Sequence, residues 1–395
     1  MLKTSDLDYE LPGDLIATQA AEPRDAARLM VVPRSHPSRV QHRVVSALPT
    51  LLKPGDLLVL NVTRVLPARL SGVREDTAGR VEGLFLGTES QYVVGPGASR
   101  GVDEVADSWV VMLQGKRLKP GVLVRLNACE GAADFGGHHA MLELKHKWEA
   151  EPGAWVVRVR CSSGSEPTMT TRQLLDHLGS TPLPPYILRA RKAHEEGANE
   201  AADRARYQTV FAGGTPQAEQ AGSVAAPTAG LHLTSRVLTG LKDAGVEIAE
   251  VVLQVGSGTF RPVETEFVED HPIHREWCTM SDEAIRAVRA TRERGGRVIA
   301  LGTTSCRTLE SFAQRAEQGE LTGGQWLDTR LLITPGYRWK WVDGLFTNFH
   351  LPRSTLMALV AAMLPGGAPD LVELYRQAVA ARYRFYSFGD AMLVI

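Results

Sequence analysis

The sequence predicts an α/β protein that is interrupted by a small antiparallel β-barrel. From about Arg172 onward, hydrophobic strands alternate with amphipathic helices, which is typical of an α/β sheet with crossover helices. Between about residues 64 and 160, short β-rich segments alternate with turns containing Gly or Pro, as in a small barrel. With 395 residues, 44% of them hydrophobic, the chain is long enough to bury one large core or two moderate ones.

Hydrophobic runs and turn residues place the individual elements. Barrel strands are predicted at residues 80–86, 109–113, 122–126, 140–144 and 155–159, and a buried strand at residues 57–60 precedes them. Later elements are helices at residues 171–178, 235–244, 282–292 and 306–318 and strands at residues 222–226, 247–253 and 298–302. Long loops are predicted at residues 88–108, 128–137 and 197–203. The α/β domain is therefore expected at residues 1–63 and 161–395, with the barrel at residues 64–160.

Charge and cysteine content limit the classes of function. The 44 Lys and Arg residues nearly balance the 45 Asp and Glu residues, so any nucleic-acid site must be a local patch. Candidate patches are Lys116, Arg117 and Lys119, and Arg189, Arg191 and Lys192. The four cysteines form no CxxC pair, which favours reduced thiols over a zinc site or a disulfide framework. The first residues do not resemble a secretory signal, so we expect a cytoplasmic protein without a membrane span.

Loops rich in Gly and Thr follow two predicted strands. Residues 254–260 follow one strand, and residues 301–305 follow another and open a helix. The carboxyl ends of strands form the ligand crevice of an open α/β sheet, where glycines let backbone amides approach a ligand. Neither loop matches GxGxxG or GxxxxGK[ST], and Ser257, Ser305 and Ser354 do not lie in GxSxG. The loops indicate a ligand site without a standard nucleotide or hydrolase motif.

Two further loops each contain a histidine. His232 ends the segment AAPTAGLH at residues 225–232, and His350 lies in residues 347–354 before a helix that Ser354 can cap. Loop histidines with a pKa near neutral are candidate acid/base groups. His271 and His274 superficially suggest a metal site, but they do not form HExxH and have no third ligand, so no metal is expected.

Blocks along nearly the whole chain resemble the S-adenosylmethionine:tRNA ribosyltransferase-isomerase family of queuosine biosynthesis. The matching blocks are residues 11–12, 22–25, 28–29, 55–61, 63–65, 183–187, 207–210, 225–232, 255–256, 258–263, 302–304, 307–310, 335–337, 347–352, 382–385 and 389–392. Four residues depart from the family pattern, namely Val62, Leu233, Arg353 and Gln254. At the position of Gln254 the family usually has His. Because an amide does not titrate, Gln254 argues against an obligatory base at that position.

The resemblance implies an α/β domain with an inserted six-stranded barrel and an unusual reaction. S-adenosylmethionine is the ribosyl-donor substrate, and no separate cofactor is needed. Its ribose part moves to the 7-aminomethyl-7-deazaguanine (preQ1) base at the wobble position of tRNA and rearranges to give epoxyqueuosine, while adenine and methionine leave. The sulfonium acidifies the C5′ protons, so the site needs a base and must exclude water. The implied partners are tRNA and the donor, with no obligatory protein partner.

Roles follow from residue type within this resemblance. His232 is the first candidate for the general base and His350 the second. The donor pocket is predicted to contain Thr228, Gly230, Gly256, Gly258, Thr259, Gly302 and Thr303. Arg261 and Arg307 are expected to bind the methionine carboxylate bidentately. Asn61, Arg64, Asn348 and Tyr383 are expected to face the base or the anticodon.

Two other classes of function stay open at this point. A methyltransferase that uses the same donor would release S-adenosylhomocysteine, but the chain lacks the expected Gly-rich first strand–helix turn near an acidic strand end. A non-catalytic RNA-binding protein would carry its binding residues on the barrel, whereas the Gly, Thr and His loops lie outside it. Product analysis separates these classes.

Overall fold

A computed structural model gives the fold of the chain. It describes residues 1–96, 101–105, 107–129, 139–161, 168–197, 199–256 and 263–395. The described strands are β1 (Arg28–Val32), β2 (Gln41–Val44), β3 (Leu57–Asn61), β4 (Arg69–Arg74), β5 (Arg80–Thr88), β6 (Ser108–Gln114), β7 (Leu123–Leu126), β8 (Ala140–Lys147), β9 (Ala154–Cys161), β10 (Glu247–Leu253), β11 (Glu276–Met280), β12 (Val298–Leu301), β13 (Trp326–Thr329), β14 (Gly344–Asn348) and β15 (Ala391–Val394). The described α-helices are α1 (Leu48–Leu51), α2 (Glu89–Val94), α3 (Thr171–Leu178), α4 (Pro185–Ala193), α5 (Glu200–Arg206), α6 (Pro216–Ala221), α7 (Ser235–Asp243), α8 (Asp282–Glu293), α9 (Gly302–Glu317), α10 (Thr355–Ala361) and α11 (Ala368–Ala380).

Nine of the described strands form one mixed sheet in the order β13-β11-β10-β3-β12-β14-β15-β1-β2. Its centre is parallel, because β3 pairs in parallel with both β10 and β12, and β12 pairs in parallel with β14. The carboxyl ends of these four strands therefore lie at the same edge of the sheet.

Strand β3 shows why the middle of the sheet is buried on both faces. Leu57 and Val59 pack into the core on one face, whereas Leu58 and Leu60 pack into the core on the other. Alternate side chains of a strand point to opposite faces, so a continuous apolar run suits a strand covered on both sides. The polar residue Asn61 ends the strand at the carboxyl edge.

The inserted barrel closes through six antiparallel strands in the order β4-β5-β6-β9-β8-β7, with β7 pairing back to β4. Its interior contains Phe85 and Trp109, whose rings meet edge to face with centroids 5.2 Å apart. The Trp109 indole also donates a hydrogen bond of 3.0 Å to the Thr171 hydroxyl at the start of α3. This bond connects the barrel core to the α/β part of the chain.

The predicted fold class, an α/β domain with an inserted six-stranded antiparallel barrel, is confirmed. The barrel strands lie between Arg69 and Cys161, and the assignment of residues 64–160 to a separate domain stays a prediction. The helix at Thr171–Leu178 and the strand at Glu247–Leu253 have the predicted bounds.

Several local predictions were wrong. Residues 222–226 form no strand, and only Ser223 makes a bridge there, to Val65. The loop predicted at residues 88–108 contains α2, which Thr88 and Gln91 cap reciprocally. The loop at residues 197–203 leads into α5, whose first turn Asn199 caps. Helix α9 begins at residue 302 instead of 306. The misses at α2 and α5 share a cause, because side-chain caps start short helices that hydrophobic periodicity does not show. Most of the loop predicted at residues 128–137 lies outside the described residues.

A carboxylate on α9 organises the loop that precedes β14. Glu310 is fully buried and accepts hydrogen bonds from the backbone N–H groups of Lys340, Trp341 and Val342 at 2.9 to 3.0 Å. The Tyr337 hydroxyl donates to it as well, at 2.9 Å. Buried polar groups are strongly destabilising when their partners are lost, so this carboxylate fixes the loop against the helix.

We expect Glu310→Gln to lower the free energy of unfolding by about 2 kcal/mol, because one amide N–H2 would face donors that need an acceptor. Chemical denaturation checks this, with exposed Glu373→Gln on α11 as the matched control. A loss no larger than that of the control would show that the carboxylate does not hold the loop.

Candidate active site

The carboxyl edge of the parallel strands contains a cavity. Its wall comes from the ends of β12 and β14, the segment after α6, and residues before β15. The lining residues are Tyr186, Ala226, Pro227, Thr228, Ala229, Val255, Gly302, Thr303, Thr304, Thr347, Asn348, Phe349, His350, Leu351, Leu356, Tyr386 and Ser387.

The first turn of α9 forms one side of the cavity. Gly302 has φ of +88°, a left-handed conformation that favours glycine, so the chain turns directly from β12 into the helix. Thr303 and Thr304 follow and line the cavity, and the Thr304 hydroxyl is buried without a partner in the described structure. The first turn of α9 therefore presents an unpartnered hydroxyl, and Gly302 and Thr303, which the sequence predicted for the donor pocket, line this cavity.

A short 3₁₀ helix at Thr228–His232 forms the opposite side. Thr228 lines the cavity, but Gly230 does not. A Cβ on Gly230 would lie 2.7 Å from the Phe211 ring and 2.9 Å from the Thr209 methyl, so this glycine permits close packing behind the wall. Its place in the donor pocket stays a prediction.

His232 lies behind Asn348 and does not line the cavity. Its Nε2 is 2.9 Å from the Asn348 side-chain nitrogen, which also donates to the Tyr386 carbonyl at 3.1 Å. Burial, followed by the positive charges of Arg384 and Arg24, lowers the pKa of His232 from 6.5 to about 3. The histidine is thus neutral and accepts a hydrogen bond from Asn348.

His350 does line the cavity. Its Nε2 is 2.8 Å from the Thr347 hydroxyl, its backbone N–H donates to the Tyr375 hydroxyl, and its carbonyl accepts from Tyr9. Burial lowers the pKa of His350 to about 3. The expectation that both histidines titrate near neutral pH was wrong, because the sequence does not show how completely each ring is removed from water.

A second cavity adjoins the first and shares Thr303, Thr304 and Leu356 with it. Arg307 lines this cavity, donates from Nη1 to Glu276 and from Nε to the Leu331 carbonyl, and has a buried, unpartnered Nη2. The guanidinium therefore has one unpartnered nitrogen, and the bidentate contact of Arg307 with the methionine carboxylate stays a prediction. Glu276 also accepts from the Gly256 amide at 3.3 Å, which places Gly256 beside this cavity.

The remaining predicted site residues lie elsewhere. Asn61 is buried between strands, where its side chain bonds both backbone groups of Leu253 and the amide of Thr63. Arg64 is half exposed, pairs with Glu219 and lines a different groove. Tyr383 is buried, bonds His42 and stacks against Arg28. None of the three lines either cavity, and Gly258, Thr259 and Arg261 lie outside the described residues.

Aromatic residues at the cavity were missed in the site prediction. Tyr186 and Tyr386 both line it with ring centroids 4.6 Å apart, and Phe349 lies beside them in the wall. Tyr186 lies in the motif at residues 183–187, which marked it as a family residue without showing where its ring points. Tyr386 has φ of +72°, a conformation that only the structure reveals.

The two predicted basic patches differ in their exposure to solvent. Lys116, Arg117 and Lys119 are exposed in the turn between β6 and β7. Arg191, by contrast, is buried and forms two hydrogen bonds of 2.7 Å with Asp203, so it stabilises α4 against α5.

Among the described residues, no three His, Cys, Asp or Glu side chains lie close enough to hold a metal ion. His274 instead lies 3.0 Å from Glu151 of the barrel.

Comparison with known proteins agrees with the blocks read from the sequence. A family model described as "Queuosine biosynthesis protein" matches residues 4–394. The chain is similar to S-adenosylmethionine:tRNA ribosyltransferase-isomerases from Rubrobacter xylanophilus, at 46% identity over 100% of this chain and 98% of that protein, and from Symbiobacterium thermophilum, at 42% identity over 100% of both. The chain belongs to this ribosyltransferase-isomerase family.

Membership of the ribosyltransferase-isomerase family confirms the resemblance and identifies the protein as a transferase. A crystal structure of an S-adenosylmethionine tRNA ribosyltransferase from Thermotoga maritima aligns with 99% of this chain and 100% of that chain at 31% identity and a TM-score of 0.48. Within the residues that the structure describes, every helix is too short or too polar to cross a bilayer.

The two buried histidines make stability depend on pH. In the folded protein each pKa is lowered from 6.5 to about 3, so between these values the unfolded chain binds protons that the folded chain excludes. Their contribution is complete above about pH 6.5 and is lost as the pH falls toward 3. At pH 5 we expect a loss of about 2 kcal/mol per histidine.

We predict that His350→Gln loses less stability than the parent between pH 7 and pH 5, measured as Tm or by chemical denaturation. Exposed His36→Gln serves as the control and should follow the parent. Parallel pH curves for the parent and His350→Gln would contradict the assignment of a buried neutral imidazole.

Proposed function

We propose that the protein transfers and isomerises the ribosyl moiety of S-adenosylmethionine onto preQ1 at the tRNA wobble position. The product is epoxyqueuosine in tRNA, adenine and methionine are released, and the reaction takes place in the cytoplasm without a separate cofactor. Membership of the ribosyltransferase-isomerase family over the whole chain supports this reaction. The observation that carries it is the cavity at the carboxyl edge, which is lined by hydroxyls, a neutral histidine and aromatic rings.

The proposed reaction needs a base that removes a C5′ proton next to the sulfonium. His350 is the better candidate, because it lines the cavity while His232 lies behind Asn348. When the Nε2–H of His350 donates to Thr347, the lone pair for accepting a proton is on Nδ1. A buried imidazole is already neutral at physiological pH and needs no prior deprotonation.

In this proposal the two adjoining cavities bind different parts of S-adenosylmethionine. Thr228, Gly302 and Thr303 line the first cavity and bind the ribose in this proposal. Arg307 lines the second cavity, and its unpartnered Nη2 binds the methionine carboxylate in this proposal. Because Glu276 holds Nη1, the guanidinium is oriented before the donor arrives.

Transfer RNA requires a basic surface on a chain whose net charge is −1. The turn with Lys116, Arg117 and Lys119 presents three exposed cations on the barrel and is our candidate for phosphate contacts. The second predicted patch is weaker, since the charge of Arg191 is neutralised by Asp203.

We expect incubation with labelled S-adenosylmethionine and preQ1-containing tRNA to release free adenine and methionine in step with RNA labelling. Mass spectrometry of the nucleoside and small-molecule products measures this, with tRNA that lacks preQ1 as the control. Stoichiometric S-adenosylhomocysteine without adenine would instead establish methyl transfer. Binding of tRNA without any product would indicate a non-catalytic RNA-binding protein.

We expect His350→Ala to lower kcat by about 10² to 10⁴, which is the usual contribution of a positioned general base. Because burial holds the pKa of His350 near 3, kcat/KM of the parent should not fall as the pH decreases through 6.5. Steady-state kinetics at pH 5.5 to 8 check both points, and donor affinity of the variant reports on binding. A variant with near-parental kcat would remove His350 from the role of base.

A further inference from the structure

The hydrogen bonds of Asn348 fix the orientation of its amide. One N–H of Nδ2 donates to the Tyr386 carbonyl at 3.1 Å, and the other to His232 Nε2 at 2.9 Å. Turning the amide over would place its oxygen against the Tyr386 carbonyl oxygen, so this arrangement is the favourable one. Oδ1 is consequently an acceptor with a defined position.

Oδ1 of Asn348 is buried and has no hydrogen-bond partner in the described part of the chain, although the residue is only 2% exposed and lines the cavity. Buried acceptors without a partner are rare and costly in native proteins. An acceptor left unpaired at the wall of a ligand cavity is satisfied when a bound molecule supplies an N–H or O–H donor.

His232 keeps the acceptor in place. The ring is 4% exposed, packs edge to face against Phe346, and is neutral because burial and two nearby arginines disfavour its charged form. A neutral ring that accepts at Nε2 carries its proton on Nδ1, so Nε2 cannot donate toward Asn348. His232 acts on Asn348 and does not itself line the cavity.

Tyr186 and Tyr386 supply an aromatic surface in the same wall. Their rings are 4.6 Å apart and tilted by 52°, and the Tyr186 hydroxyl is held by Ser387. The carbonyl of Tyr386 is also the group that orients Asn348, so the acceptor and the aromatic surface are built on one residue. Flat π systems stack on such rings.

We infer that Asn348, oriented by His232, recognises a planar heterocycle through an exocyclic amino group while Tyr186 and Tyr386 contact its face. His232 is then a positioning residue, and its predicted role as general base is replaced. This assignment rests on the proposed function for its ligands, which offer two such heterocycles: the adenine of the donor and the 7-deazaguanine base. Both carry an amino group that can donate to Oδ1.

Equilibrium binding to the full chain distinguishes the two sources. One arm compares S-adenosylhomocysteine with S-inosylhomocysteine, in which an oxygen replaces the adenine amino group. The other arm compares 7-aminomethyl-7-deazaguanine with its analogue lacking the 2-amino group. We expect a preference of about tenfold or more for the amino-bearing member of one pair, because the analogue leaves a buried acceptor unpaired. Whichever pair shows it identifies the heterocycle.

Variants of His232 test the positioning role. In His232→Gln the side-chain oxygen replaces Nε2 as acceptor, so the preference and kcat should be largely retained. In His232→Leu the amide is no longer held, so the preference should fall to about twofold or less, and Asn348→Ala should lose it as well. Circular dichroism and Tm show whether each variant is folded, and the Gln variant keeps the test valid if the Leu variant is not.

Absence of a preference in both pairs for the parent would overturn the assignment. Equal loss of kcat in His232→Gln and His232→Leu, with the preference intact, would also overturn it and restore His232 as a base. Release of adenine and methionine by the same preparation reports on the proposed function separately. The binding preferences therefore test the recognition of the heterocycle, and the release of adenine and methionine tests the proposed function. Either proposal can be rejected while the other stands.

Discussion

Parallel pairing of β3, β10, β12 and β14 is the constraint on which the site depends. Four strands that run in one direction end at one edge, so segments far apart in sequence deliver their loops to the same place. Asn61 strengthens this edge, since its side chain bonds both the N–H and the carbonyl of Leu253 at the end of β10. Its polar group thus stabilises the sheet rather than contacting a ligand.

Burial then decides the chemistry of the groups at that edge. Histidines in contact with water would be partly charged at neutral pH, whereas His232 and His350 are neutral because charging them in an enclosed wall is unfavourable. A neutral ring at the cavity can accept a proton, and a neutral ring behind it can orient an amide. The difference between His350 and His232 is their position relative to the cavity, because both are histidines with a similar pKa.

Unusual backbone conformations occur where the wall is formed. Gly302 turns from strand to helix with φ of +88°, and Tyr386 adopts φ of +72° although it has a side chain. Such a conformation costs on the order of 1 to 3 kcal/mol for a non-glycine residue and is retained at functional sites when the surroundings hold it. At Tyr386 the result is a carbonyl directed at Asn348 and a ring directed at the cavity.

The sequence by itself determined the fold class, the barrel insertion and the family, because hydrophobic periodicity and ordered motifs are local properties of the chain. It also named Thr228, Gly302, Thr303, Asn348 and His350 as candidate site residues, and these residues line the cavity. The sequence did not predict the short helices α2 and α5. A side-chain cap starts each of them, and helices this short are too brief to show a hydrophobic period.

Only the tertiary structure decided which polar residues face the cavity. Asn61, Arg64 and Tyr383 stand in motifs as prominent as that of Asn348, yet their partners lie in the sheet, on the surface and in the core. Contacts between distant segments also decide that His350 lines the cavity while His232 does not. They likewise leave Nη2 of Arg307 unpartnered and bring the rings of Tyr186 and Tyr386 together. Burial and pairing are set by those contacts, and no local pattern of residue types encodes them.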